Sequence, residues 1–142
     1  MDFFVWYNEV RAHEIDVQGI VNNAHYLSYF DHARTVHLNA LGVNWVQLSQ
    51  EGLNLVLAHT EIKFLAPLRA FDRFKVESFI RQEGKLKLIF EQKIMNEESL
   101  LTCSSINTIV CVDTKRNKPI TIDKLKTFFK QQNSPEVAQN FL

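Results

Sequence analysis

His13 to Arg34 reads H-E-I-D-V-Q-G-I-V-N-N-A-H-Y-L-S-Y-F-D-H-A-R and contains the start of the only long helical pattern in the chain. From Ala24 onward, Tyr26, Phe30, Ala33, His37 and Leu41 recur at helical spacing. Asn22 or Asn23 suits the N-cap, where a short side chain accepts from the first free N–H groups, and Gly42 suits the left-handed position past the end. The spacing predicts one helix of about 18 residues, near five turns. Just ahead of it lies Asp16, in a loop over Ala12–Val21 whose turn residue is Gly19. A helix N-terminus offers unpaired N–H groups and partial positive charge, and a carboxylate beside it offers a base or nucleophile. Glu14 is the competing carboxylate, and the sequence shows no comparable partner for it.

Before this stretch, residues 3 to 12 are rich in Phe, Val, Trp and Tyr and read as a strand. After it, a short helix runs from Asn44 to Gln50 and stops at Gly52. The pattern then changes to period two. Val56, Ala58, Ile62 and Phe64 alternate with His59, Glu61 and Lys63 up to Pro67. Phe74, Val76 and Ile80 alternate with Lys75, Glu77 and Arg81, and Glu83-Gly84-Lys85 turns the chain into Leu86, Leu88, Phe90 and Ile94. A turn at Asn96-Glu97-Glu98-Ser99 leads into a last long strand over 100–112, and residues 121–131 suggest a terminal helix, with a frayed tail from Asn133. Tight turns between long strands mean antiparallel pairing. The expected fold class is α+β: a five-stranded antiparallel sheet wrapped around one long helix in a single domain, residues 1–142. One helix cannot cover such a sheet or seal its edges, so a second copy in a symmetric dimer is expected.

The chain has 142 residues, 46% hydrophobic and 23% charged, with zero formal net charge. That balance argues against a broad field for nucleic acid or an anionic membrane surface. Neither a signal peptide nor a membrane-spanning run is apparent, so a cytoplasmic protein without stable membrane insertion is expected. Cys103 and Cys111 stand eight residues apart in one strand, roughly 26 Å, far beyond disulfide reach.

The histidines do not make a metal site: His25 and His32 share a helix face but lie about 10.5 Å apart along the axis. Ser28, Ser104 and Ser105 have no nucleophile elbow around them, and neither a phosphate-cradling glycine loop nor a dinucleotide fingerprint is present. No cofactor is called for. The basic run Lys115-Arg116-Asn117-Lys118 reads first as a solvated turn. It could also receive a ligand phosphate, as could Arg69 and Arg73 after Pro67. The eleven phenylalanines read as core, with some available to line an apolar tunnel.

The segment V-R-A-H-E-I-D-V-Q-G-I-V-N-N-A-H-Y-L-S-Y-F-D-H-A-R resembles the signature of the hotdog-fold acyl-CoA thioesterases of the 4-hydroxybenzoyl-CoA thioesterase type. Asp16, Gly19, Val21, Tyr26, Leu27, Ala33 and Arg34 fall on that pattern, with Glu14 in place of its first aspartate. The later H-T-E-I-K-F-L-A-P-L-R-A-F-D-R-F-K-V-E resembles the family's second and third strands, and the likeness spans about residues 4–115. The resemblance implies acyl-CoA thioester hydrolysis, with Asp16 as catalytic nucleophile or general base. It also implies that the Asn23 backbone N–H helps hold the thioester oxygen. Many relatives carry His or Tyr at the Asn23 position, and His25, two residues on, is not its equivalent. Gly19, Val21, Asn22, Tyr26, Arg69, Lys115 and Arg116 complete the expected substrate-binding set. The family works as a homodimer, with the homotetramer as a common larger assembly. Its site lies at the dimer interface, which acyl chain and pantetheine reach from opposite sides. A carrier-protein thioesterase and a non-catalytic acyl-thioester-binding relative are the alternatives.

Overall fold

The computed structural model of the chain describes residues 2–132. The elements run β1 (Asp2–Glu9), a 3-10 turn (Ala12–Glu14), α1 (Asn23–Ala40), α2 (Trp45–Gln50), β2 (Leu53–Phe64), β3 (Arg73–Glu83), β4 (Lys87–Asn96), β5 (Leu101–Asp113), β6 (Lys118–Ile120) and α3 (Asp123–Gln132). One antiparallel sheet contains all the strands in the order β1-β3-β4-β5-β2, with β6 also paired to β5.

The expectation of one long helix and an antiparallel sheet holds, but the sheet has six strands rather than five. The additional strand, β6, is three residues long and pairs Ile120 with Cys111 and Lys118 with Asp113. The run Lys115–Lys118 masked it. Its first part is the turn, with Asn117 at φ 54°, but pairing begins at Lys118. A three-residue strand is too short to display a period. The frayed tail expected from Asn133 lies outside the described residues.

Local rules set the boundaries. Asn22 is the cap of α1, its side-chain oxygen accepting from the Ala24 N–H at 3.0 Å. Asn44 caps α2, accepting from Val46 and Gln47. Gly42, with φ at 90°, takes the left-handed conformation expected just past the end of α1. In the β4–β5 turn, Asn96 Oδ1 accepts from the Glu98 and Leu100 N–H groups, and Ser99 turns back at φ 62°.

The alternation in β3 and β4 points Phe74, Val76 and Ile80, with Leu88, Phe90 and Ile94, onto the face that α1 covers. Burial of each such side chain contributes about 1.5–3 kcal/mol. One core cluster gathers Tyr26, Tyr29, Phe30 and Ala33 of α1 against Val76, Ile94 and Cys103. A second joins Leu38, Val43 and Leu48 to Ile80, Phe90, Ile109 and, from the end of the chain, Ile122 and Leu125. Helix α1 packs chiefly on β1 and β3. At the other edge of the sheet β2 keeps Val56, Leu57 and Phe64 more than two-fifths exposed.

Candidate active site

Asp16 and the start of α1 are brought together by a small hairpin. Ile15 pairs with Val21, the Asp16 N–H donates to Ile20 O at 2.9 Å, and the Gly19 N–H returns to Asp16 O at 3.0 Å. Gly19 sits at φ 80°, a conformation that side-chain-bearing residues rarely adopt, which is why glycine closes this turn. Asp16 Oδ1 accepts from the Gln18 N–H at 2.8 Å. Its second carboxylate oxygen carries no hydrogen bond among the described residues, and the side chain is part-exposed. The carboxylate is thus held by one oxygen and presented by the other.

Across the hairpin, Val21 N–H donates to Leu68 O and Asn22 N–H to Glu14 O, which anchors the helix start. Asn22 then consumes the Ala24 N–H through its side chain, and the His25 N–H goes to Asn22 O. The Asn23 N–H carries no hydrogen bond among the described residues. It is the unsatisfied donor at the positive end of an 18-residue helix. Asn23, Ile20, Val21, Tyr26, Phe64 and Pro67 line an open groove of about 260 Å³. Such a donor at a groove can hold an oxyanion, and the hairpin that pairs Ile15 with Val21 brings the free carboxylate oxygen of Asp16 to the same end of α1.

Tyr26 is buried and accepts from the Leu68 N–H at 3.0 Å, with its ring edge-on to Tyr29 and Phe64. It lines the groove while fixing the β2–β3 connection. Arg69 is exposed, its backbone bridged to Ile20 and its N–H donating to Asp72 Oδ2, so it adjoins the same hairpin. Lys115 and Arg116 do not join this group within one chain. Their N–H groups donate to Asp113 Oδ1, at the far end of β5 from Cys103, which pairs with Phe64. The ten residues between correspond to roughly 33 Å of strand.

Glu14 corrects the sequence expectation that it lacks a partner. It is buried, and its Oε1 accepts from the Arg11 N–H and the Tyr29 hydroxyl, both at 2.8 Å, while Arg11 Nη1 reaches Oε2 at 3.3 Å. Burial works to raise its pKa. The two hydrogen bonds and the positive charges of Arg11 and His13 outweigh that effect and hold it below the usual carboxylate range. Tyr29 in turn is pushed far up, by burial and by the carboxylate it serves. Arg11 and Tyr29 lie three and fifteen residues from Glu14, so only the first could have been read from local spacing.

A second polar cluster was not visible in the sequence. His37, wholly buried, stands 2.7 Å from Asp2 Oδ2 and 3.0 Å from Ser78 Oγ. Burial lowers its pKa, with Asp2 pulling the other way. The neutral ring therefore donates from Nε2 and accepts from Ser78. Gln92 Nε2 donates to Phe30 O and Ser78 Oγ, and its Oε1 accepts from Arg34 and Asn107. Of the other histidines, His25 meets His13 edge-on, His32 packs on Trp6, and the exposed His59 stands 3.5 Å from Glu61 Oε1. Cys103 and Cys111 are buried free thiols, pushed up by burial to about 12 and about 11, which leaves them protonated and inert at neutral pH.

The model of the thioesterase-like superfamily matches residues 10–141. The acyl-acyl carrier protein thioesterase ATL2 of Arabidopsis thaliana, a chloroplastic protein, is 34% identical over 124 residues, covering 85% of this chain and 65% of its own. This chain therefore spans just under two thirds of that relative's length. The acyl-CoA thioester hydrolase YbgC of Escherichia coli O157:H7 is 29% identical over 129 residues, covering 90% and 96% of the two chains. Among solved structures, Slr0204, a 1,4-dihydroxy-2-naphthoyl-CoA thioesterase from Synechocystis, superposes with a TM-score of 0.84 at 21% identity. It covers 94% of this chain and 100% of its own, and it shares the fold.

Proposed function

The chain belongs to the thioesterase-like superfamily, and from that premise we propose that it is an enzyme hydrolysing acyl-CoA thioesters to free acid and CoA. The observation that carries the reading is the unsatisfied Asn23 N–H at the head of α1, with a free carboxylate oxygen on Asp16 in the hairpin that leads into that helix. The thioester carbonyl oxygen sits against the Asn23 N–H. Asp16 takes a proton from water as the water oxygen attacks the carbonyl carbon, and the negative charge that develops on the oxygen is held at the helix N-terminus. The C–S bond then breaks, and the thiol leaves with the proton Asp16 had taken. No acid stronger than this is required, since a thiol pKa lies near 8.5 and thiolates depart readily. In its other role Asp16 attacks the carbonyl itself, and water opens the resulting mixed anhydride. The chemistry draws on no cofactor and no histidine at position 23.

A homodimer completes this picture. The long edge strand β2 and its exposed Val56, Leu57 and Phe64 suit pairing with a second copy, which would place the basic turn at Lys115 and Arg116 against a neighbouring site. A homotetramer is the larger assembly in keeping with the family. Carrier-protein thioesters are the second reading, favoured by the name and identity of ATL2. No described helix is long and apolar enough to cross a membrane, and a cytoplasmic location accords with a CoA substrate.

The test is free-thiol release from a panel of acyl-CoAs and acyl-carrier proteins, by wild type and Asp16→Asn. Release by wild type that collapses in Asp16→Asn supports the reading. Equal release by both proteins removes Asp16 from the chemistry, and acyl-CoA binding without turnover would make the chain a binding module. A single turnover in ¹⁸O-water separates the two roles of Asp16: label enters its carboxylate only if it is the nucleophile.

A further inference from the structure

Two polar side chains line the groove at the head of α1: Asn23, which is exposed, and Tyr26, which is only 3% exposed. The Tyr26 hydroxyl oxygen accepts from the Leu68 N–H at 3.0 Å, but its own hydrogen has no acceptor among the described residues. A buried tyrosine hydroxyl ordinarily donates as well as accepts. Its neighbour on the helix shows the ordinary case, since the Tyr29 hydroxyl donates to Glu14 Oε1 at 2.8 Å. Tyr26 keeps a donor hydrogen unspent in the wall of the groove.

We propose that the Tyr26 hydroxyl is a second hydrogen-bond donor to the thioester carbonyl oxygen, acting with the Asn23 N–H as a two-donor oxyanion site. This rests on the thioesterase reading above. The hydroxyl lends a hydrogen bond and keeps its proton, so the proton balance at Asp16 is unchanged. Three observations carry the assignment. The first is placement. Tyr26 follows Asn23 by three residues, about 4.5 Å along the axis of α1. Helical side chains lean toward the N-terminus, so the Tyr26 ring covers the turn that begins at Asn22 and Asn23. Leu68 fixes the hydroxyl there. Its N–H donates to Tyr26, while its carbonyl oxygen accepts from the Val21 N–H, two residues before Asn23.

The second is the supply of other donors. The Leu65 and Ala66 N–H groups both go to Thr102 O, Pro67 has no N–H, and the Leu68 N–H goes to Tyr26 itself. The wall formed by residues 65–68 therefore lends no backbone donor to a ligand. A carbonyl oxygen carries two lone pairs, and the Asn23 N–H engages only one of them. The Tyr26 hydrogen is placed to engage the other.

The third is protonation. Burial raises the Tyr26 pKa above its ordinary 10.0; the Leu68 N–H pulls the other way, and Cys103 and Asp72 add to the rise. The hydroxyl therefore stays a donor at neutral pH. Its ring is held edge-on by Tyr29 and Phe64, so the donor is fixed before substrate arrives, as an oxyanion site requires.

The experiment compares wild type with Tyr26→Phe and with a protein carrying difluorotyrosine at position 26, each checked by thermal melt. In Tyr26→Phe, kcat for free-thiol release should fall about 10²-fold or more, the loss that follows removal of one oxyanion donor, with KM within about threefold. The second readout is the carbonyl infrared band of a bound acyl-CoA analogue that has CH₂ in place of the thioester sulfur. A hydrogen bond to the oxygen weakens the C=O bond and lowers its frequency, so the band should lie lower in wild type than in Tyr26→Phe. A tyrosine that only braced Leu68 would leave that band in place. Difluorotyrosine keeps the ring and the acceptor for Leu68, but as a stronger acid it loses its donor hydrogen as pH rises. Its kcat should fall along an alkaline limb that wild type lacks, and this profile decides the matter if Tyr26→Phe does not fold. Equal kcat per folded molecule in Tyr26→Phe, an unmoved carbonyl band, or no added alkaline limb overturns the proposal. In those cases loss of turnover in Asp16→Asn still upholds the thioesterase reading. If wild type cleaves no thioester, that reading fails and the analogue alone decides. A band that differs between wild type and Tyr26→Phe upholds the hydroxyl as a donor; an equal band, or no binding, overturns it.

Discussion

In the last turn of α1, His37 lines up with Asp2 and Ser78 in the order of a nucleophile relay, with contacts of 2.7 and 3.0 Å. At the head of the same helix, Asp16 and the Asn23 N–H have no histidine and no hydroxyl between them. The relay is the more complete hydrogen-bond chain, yet its serine is fully buried and its hydroxyl is shared between His37 and Gln92. Every polar group there has found a partner, so none is left for a substrate. At the helix head a backbone donor remains unspent on an open groove, and a carboxylate oxygen remains unspent in the hairpin that precedes it. Glu14 makes the contrast sharper: it lies two residues from Asp16 but is sealed by Arg11 and Tyr29. Satisfied polar groups hold a fold together, and unsatisfied accessible ones do chemistry.

That contrast can be broken at several points. Asp16→Asn should reduce kcat for thioester hydrolysis by about 10²–10⁴-fold, the usual contribution of a general base. Its stability should stay within about 0.5 kcal/mol of wild type, as for other surface changes. Glu14→Ala should do the reverse in kind. It strands the Tyr29 hydroxyl and the Arg11 N–H at about 1–3 kcal/mol each, read by denaturant unfolding. Unchanged stability with lost turnover would move Glu14 into the site.

Ser78→Ala should cost about 1–3 kcal/mol of stability through the partners it leaves in the core, with hydrolysis per folded molecule intact. Collapse of turnover in that variant would make the buried relay catalytic and end the comparison.

Acid should loosen the sealed region in two windows. Burial lowers the His37 pKa below its ordinary 6.5, so the folded state binds fewer protons there. Its contribution is complete above that value and declines as pH falls through the lower folded one. The Glu14 pKa, also lowered, adds a second decline below 4.5. One proton sets a limit of about 1.4 kcal/mol per pH unit, measurable as Tm against pH. Stability that rises on acidification through pH 6 would contradict the His37 assignment. Smallest of all, Asn22→Ala should cost about 1 kcal/mol as a lost cap.

Much of the fold was legible because its signals are local. Asn22, Gly42, Asn44 and Gly52 mark helix ends within a turn of the residues they serve, and the period-two runs of β3 and β4 declare a face without reference to any partner. β6 escaped because three residues cannot show a period. Of the candidate site, Asp16, Gly19 and the head of α1 were readable, since they lie within eight residues of one another. The partners of Glu14 and the His37 relay were not. Ser78 meets His37 across 41 residues, and Gln92 reaches Phe30 across 62.

The sequence alone determined where α1 begins and ends, that antiparallel strands follow it, and that a carboxylate precedes its N-terminus. These depend on backbone geometry and side-chain period, which act over a few residues. Only the tertiary structure decided which carboxylate stays open and which histidine is buried. It also decided which cation is neutralised and where a hollow remains between α1 and β2. Each of those outcomes depends on whether a group distant in the chain arrives to complete a hydrogen bond or fill a space, and local spacing carries no record of that.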